Sequence, residues 1–115
     1  MQGVNSVIQK TFVKAGERPV VRVVFILPSS IWADTIYLVG DFNSWNRRSH
    51  PFRRDRDGRW ILDVELELGR AYQFRYLCDG VAWMTDMQAD AYVSNPSGND
   101  NFVVVTDPNF EPHYD

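Results

Sequence analysis

Three acidic side chains two positions apart, Asp63, Glu65 and Glu67, are the first place to look for chemistry in this chain. On a strand such residues stand roughly 6.6–6.8 Å apart, within the roughly 6.5–9.5 Å that separates the two carboxyl groups of inverting glycosidases. Those pairs face each other across a sugar, however, whereas these three point in parallel from one strand, with nothing beside them to raise a pKa. They read as a solvated strand face. Cys78 follows the apolar-face residues Tyr72, Phe74 and Tyr76 with no histidine close in sequence, which reads as a buried cysteine at a strand end. As the single cysteine of 115 residues it excludes an intrachain disulfide and a cysteine-based zinc cluster. His50 and His113 lie too far apart to form a His-x-x-x-His pair, and no phosphate loop, nucleophile elbow or His-Glu-x-x-His occurs. The sequence offers no enzyme, no cofactor and no metal site.

Binding is better supported. Four tryptophans and five tyrosines exceed what a small core needs. Trp60 belongs to the core by alternation, but Trp45 sits in the polar turn Asp41-Phe-Asn-Ser-Trp-Asn and Trp83 just after Asp79-Gly80. The two either plug the ends of the domain or form a platform for sugar rings, whose C–H faces are apolar and whose rims carry hydroxyls. Arg47, Arg48, Arg53, Arg54, Arg56 and Arg59 supply six of the twelve basic residues. A phosphate-contacting patch is one reading. With Asp55 and Asp57 interrupting the run and Asp57-Gly58 marking a turn, the favoured one is a solvated hairpin rim. A net charge of −3 also argues against a nucleic-acid partner.

The elements that must position these residues are strands. At 44% hydrophobic and 23% charged, the chain has the composition of one folded domain. Trp60, Leu62, Val64, Leu66 and Leu68 alternate with Arg59, Ile61, Asp63, Glu65 and Glu67; Tyr72, Phe74 and Tyr76 alternate with Gln73, Arg75 and Leu77. With Gly69-Arg70 between them, the two runs predict an antiparallel hairpin. Residues 35–42 give a strand with Ile36, Leu38 and Phe42 on one face. Val20 to Leu27 is apolar on both faces apart from Arg22, Val7 to Val13 suggests an edge strand, and Asn101 to Thr106 closes the set. Short strands at this spacing predict an all-β sandwich of about seven antiparallel strands. The core module is expected at about 18–106, with an N-terminal strand or extension at 1–17 and a C-terminal tail at 107–115. The longest apolar run is too short to span a bilayer, and Met1 to Lys10 does not resemble a signal peptide. A cytoplasmic domain with no membrane partner is expected.

The run Ile36-Tyr-Leu-Val-Gly-Asp-Phe-Asn-Ser-Trp-Asn46 resembles the "VYLVGDFNxWN" signature of carbohydrate-binding module family 48. Asp57-Gly-Arg-Trp60, Leu68-Gly-Arg70, Tyr72-Gln-Phe-Arg-Tyr76, Asp79-Gly80 and the loop from Asn95 to Asn101 follow in the family's order. The family includes the glycogen-binding domain of the AMP-activated protein kinase beta subunit and the N-terminal early-set modules of isoamylase, pullulanase and branching enzymes, which belong to glycoside hydrolase family 13. The resemblance implies an immunoglobulin-like early-set β-sandwich that binds α-1,4-glucan without catalysis. In glycogen-binding members two tryptophans stack on glucose units, helped by a basic residue and a late loop. Carried over residue by residue, the carbohydrate-binding set is Trp45, Arg75, Trp83, Asn99 and Asn101. Arg75 stands where those members have lysine. Trp83 follows Gly80 by three residues rather than two, and Asn99 and Ser97 replace a threonine and a leucine. Alternation independently puts Arg75, and with it Gln73, on the non-core face. The rival expectation is a structural or protein-interaction module that docks on a separate glucan-processing enzyme, with the arginine segment and the tail as contact surfaces. Accessibility of both Trp45 and Trp83 on one face separates the two.

Overall fold

A computed structural model describes residues 3–15, 18–86, 88–94 and 100–109. They form two sheets facing each other. The larger has six strands: β1 (Gly3–Val4), β4 (Ile36–Gly40), β7 (Ala71–Cys78), β8 (Ala82–Asp86), β9 (Ala91–Ser94) and β10 (Asp100–Val105). The smaller has four, in the order β2 (Val7–Ala15), β3 (Arg18–Leu27), β6 (Trp60–Glu67) and β5 (Arg53–Arg54). All pairings are antiparallel except that of β1 with β8. The all-β sandwich stands, with more strands than expected. The excess comes from the two-residue strands β1 and β5 and from β8 and β9, which are too short to show an alternation of their own.

The period of two builds the core. Val21, Val23, Phe25 and Leu27 of β3 are fully buried and face Ile36, Leu38, Phe74, Tyr76, Phe102 and Val104 of the other sheet. The rings meet edge to face, Phe25 with Phe74 at 5.3 Å and Phe74 with Tyr76 at 5.5 Å between centroids, the arrangement their quadrupoles favour. One polar group enters this layer satisfied: the buried Asp86 carboxylate accepts from the Tyr76 hydroxyl at 2.6 Å and from Ser6 at 2.7 Å. Burial and the adjacent Asp86 raise the Tyr76 pKa well above its ordinary value.

The expected hairpin between residues 59–68 and 71–78 is not formed. β6 pairs with β3 and β5, while β7 pairs with β4, β8 and β10, so the Gly69-Arg70 turn carries the chain from one sheet to the other. Both runs point their apolar residues at the same core from opposite sides, which strands of one sheet cannot do. Thr106 holds the crossover: its hydroxyl donates to the Glu67 carbonyl at 2.7 Å and accepts from the Arg70 N–H at 2.9 Å. Leu68 lies beyond the end of β6 and is exposed rather than facing the core. The N-terminal segment pairs within the sandwich as edge strand β2, in continuous register with β3 from Val7↔Ile26 to Ala15↔Arg18. Cys78 is half-buried at the end of β7 rather than fully buried, and burial, helped by Asp79, pushes its thiol pKa up.

Candidate functional site

The outer face of the larger sheet carries the odd-numbered residues of β7. Gln73, Arg75 and Leu77 lie there, paired in register with Val103, Val39 and Trp83 respectively. Val39, Arg75 and Trp83 floor the site, and the turn after β4 forms its wall. Gly40 opens that turn because no larger residue fits: a Cβ would come within 2.4 Å of the Gln73 carbonyl oxygen and 2.9 Å of the Phe74 Cβ. Asp41 to Asn43 then make a single 3-10 turn. Asn43 binds it on both sides, accepting from the Gly40 N–H at 3.0 Å and donating to the Leu38 carbonyl at 3.1 Å. Phe42 leaves the β4 face on which alternation put it and anchors the turn against His50 and Tyr72, at 5.5 and 6.4 Å between centroids.

This turn presents Trp45. Ser44 and Trp45 have φ of 55° and 57°, the left-handed region that bulky residues avoid. Such strain costs on the order of 1–3 kcal/mol per residue and persists only where the surroundings impose it. Asp41 is a large part of that imposition. Its Oδ1 accepts from the indole Nε1 of Trp45 at 3.0 Å, while its Oδ2 accepts from the backbone N–H of Gln73 at 2.7 Å. One carboxylate thereby fixes the ring to the sheet.

Trp45, Trp83, Arg75 and Asn101 line one open cleft of about 480 Å³, together with Val39 and Arg47. Neither tryptophan is a buried plug; both are half-buried on the same face, which distinguishes them from Trp60, 3% exposed in the core. The Arg75 guanidinium carbon lies 5.0 Å and that of Arg47 5.3 Å from the centre of the Trp83 ring, so two cations hold its π-system. Arg75 is on the non-core face as alternation required, yet only 7% exposed. Its desolvation lowers its pKa from the ordinary arginine value. Its buried Nε finds no hydrogen-bond partner among the described residues, a donor left over in a cleft wall. Asn101 donates to the Gln73 side chain at 3.0 Å, fixing both amides.

Four of the five expected site residues are therefore together. The fifth, Asn99, lies outside the described residues, as do Ser97 and most of the late loop. Arg47 was missed. Its signal was its place two residues after Trp45, which the reading of the whole arginine run as a rim concealed. That reading fits other members: Arg59 pairs with Asp55 at 2.8 Å, and Arg54 donates to Gly58 O and lies 4.0 Å over the Trp60 ring. Trp32, unassigned by pattern, is 98% exposed.

Among the described residues the lining combines aromatic faces with guanidinium and amide donors and no carboxylate. A β-sandwich with such a cleft on an outer face has the make-up of a ligand-binding module.

The sequence model of carbohydrate-binding module 48, the isoamylase N-terminal domain, matches residues 22–109. The chain belongs to this family. Among curated proteins it is similar to the 1,4-alpha-glucan-branching enzyme of Dictyostelium discoideum, 62% identical over 38 residues that make up 33% of this chain and 5% of that enzyme. It is similar to the 1,4-alpha-glucan branching enzyme GlgB 2 of Xanthomonas campestris pv. campestris, 38% identical over 63 residues, 54% of this chain and 8% of the enzyme. The enzyme of that name from Xanthomonas oryzae pv. oryzae is 34% identical over 74 residues, 64% and 10% of the two chains. The chain thus spans a tenth or less of the length of these relatives.

Proposed function

We propose that the chain binds α-1,4-glucan (glycogen, starch or a maltooligosaccharide) in the cleft between Trp45 and Trp83, without acting on it. The observation that carries this reading is the pair of half-buried tryptophans lining one open cleft with Arg75, Asn101 and Arg47. The rings take the apolar faces of glucose units; Arg75, Arg47 and Asn101 supply hydrogen bonds to hydroxyls. Asn99 is assigned to the same set by the family resemblance. An aromatic contact contributes on the order of 1 kcal/mol beyond its buried area, so two of them with a few polar contacts suit micromolar to millimolar affinity.

The test is a calorimetric titration with maltoheptaose. The wild type saturates, and Trp45→Ala binds at least about tenfold more weakly while melting within a few degrees of the wild type. Unchanged affinity in that variant overturns the site. The second reading, a module that docks on a glucan-processing enzyme, draws on the apolar groove of Phe12, Val13, Val20 and Leu68 on the smaller sheet. A folded wild type silent to millimolar sugar is the outcome that favours it.

A further inference from the structure

The tryptophan cleft does not end at Arg75. The next register pair along the same outer face is Tyr37↔Leu77, one strand repeat beyond Val39↔Arg75, or roughly 6.6–6.8 Å further. A second cleft of about 490 Å³ opens there. Tyr37 and Leu77 line it with Arg47, Arg48 and Asp79. Arg47 lines both clefts, so they are neighbouring compartments of one surface with a shared wall. Asp79 is held in place: its Oδ1 accepts from the backbone N–H groups of Asp34 and Thr35 at 2.8 and 2.9 Å.

We infer that this second cleft is an additional subsite for the same α-glucan chain, making the module selective for longer oligosaccharides. The inference rests on the glucan reading of the first cleft. A polymer seated between the tryptophans continues beyond them, and a contiguous cleft on the same face receives further units. The lining supplies what a glucose ring needs: the half-buried Tyr37 ring for a C–H face, guanidinium donors from Arg47 and Arg48, and a carboxylate acceptor from Asp79. The lining carries both signs, two guanidiniums and the Asp79 carboxylate. Neutral sugar satisfies both signs.

The experiment compares maltotriose, maltopentaose and maltoheptaose by titration calorimetry on the full chain, in the wild type, Arg48→Ala, Tyr37→Ala and Trp45→Ala. The wild type is expected to gain about three- to tenfold in affinity from the shortest to the longest sugar, the size of one added aromatic contact. Arg48→Ala and Tyr37→Ala lose most of that gain and retain maltotriose binding, whereas Trp45→Ala weakens every length. Arg48 is exposed, so its variant reports even if Tyr37→Ala does not fold. Equal affinity for all three sugars in the wild type, or a full gain retained in Arg48→Ala, overturns the subsite and leaves the tryptophan site standing. No binding at any length overturns both.

Discussion

The two outer faces of the sandwich obey the same alternation and end with opposite chemistry. On the smaller sheet outward charges pair with one another. Arg22 of β3 bonds Asp63 of β6 at 2.6 Å, both side chains well exposed, and Arg70 closes on Glu67 at 2.8 Å. On the larger sheet the outward charge, Arg75, is buried against Trp83, and its Nε has no hydrogen-bond partner among the described residues to offset its desolvation. One face carries paired, exposed charges beside an apolar groove; the other carries a desolvated cation, two tryptophans and a strained turn. Paired surface charges are answered within the fold and by water, whereas the buried Nε of Arg75 is a donor that the described residues leave unanswered.

Two aspartates of the same type, one on each face, give the largest contrast. Asp41→Ala removes the acceptor of both the Trp45 indole and the Gln73 N–H and releases the left-handed turn. Hydrogen bonds to a charged acceptor contribute roughly 1.5–3 kcal/mol, so a loss of about 2 kcal/mol is expected. Glucan affinity should fall with it, because the ring is no longer held. Asp63→Ala removes an exposed pair, costs less than about 1 kcal/mol and leaves affinity unchanged. Urea denaturation and maltoheptaose titration of both variants decide it; equal losses would erase the distinction between the faces.

Arg75 allows a smaller and more pointed test. A buried guanidinium without an anionic partner does not stabilise a fold, and replacing buried charge by an apolar group of similar volume is often neutral or favourable. Arg75→Met keeps the stem and should hold stability within about 1 kcal/mol of the wild type, on either side, while weakening sugar binding. A larger loss of stability with intact affinity would make Arg75 a structural residue and return this face to the ordinary.

Much of this was legible in the sequence because alternation is local. The apolar registers of β3, β6 and β7, the Asp57-Gly58 and Asp79-Gly80 turns, and the side of the sheet on which Arg75 stands all follow from neighbours two residues apart. The pairing partners did not follow. Gly69-Arg70 has the spacing of a hairpin, and pairings with strands far along the chain, held at the turn by Thr106, make it a crossover between sheets. The same limit governs the site. Trp45 in a polar turn was visible as anomalous, and the motif Gly40-Asp-Phe-Asn-Ser-Trp45 as a family mark. Why it has that composition needs contacts across the sheet: Gly40 under the Gln73 carbonyl, Asp41 on the Gln73 N–H, Phe42 on Tyr72. Arg47 and Tyr37 join the site only because β4 and β7 run side by side.

The smallest effect concerns the ion-paired face and fixes the baseline of the comparison. The hydrogen bond from Arg22 lowers the Asp63 pKa; the charge of Arg22 works in the same direction, and partial desolvation works against both. A carboxyl group whose folded pKa lies below its unfolded value, about 3.9, contributes stability that is fully present above that unfolded value. The contribution disappears as pH falls through the folded pKa, because protons then bind the unfolded chain more readily. At neutral pH an exposed pair of this kind is worth roughly 0.2–1 kcal/mol. Arg22→Gln should therefore melt slightly below the wild type at pH 7, and the gap should close as the pH is taken from about 4 towards 2. Added salt at pH 7 should narrow the same gap by screening. A gap that survives acid would mean that Arg22 acts by packing on the sheet rather than by its charge, and this face would then be less self-contained than its ion pairs suggest.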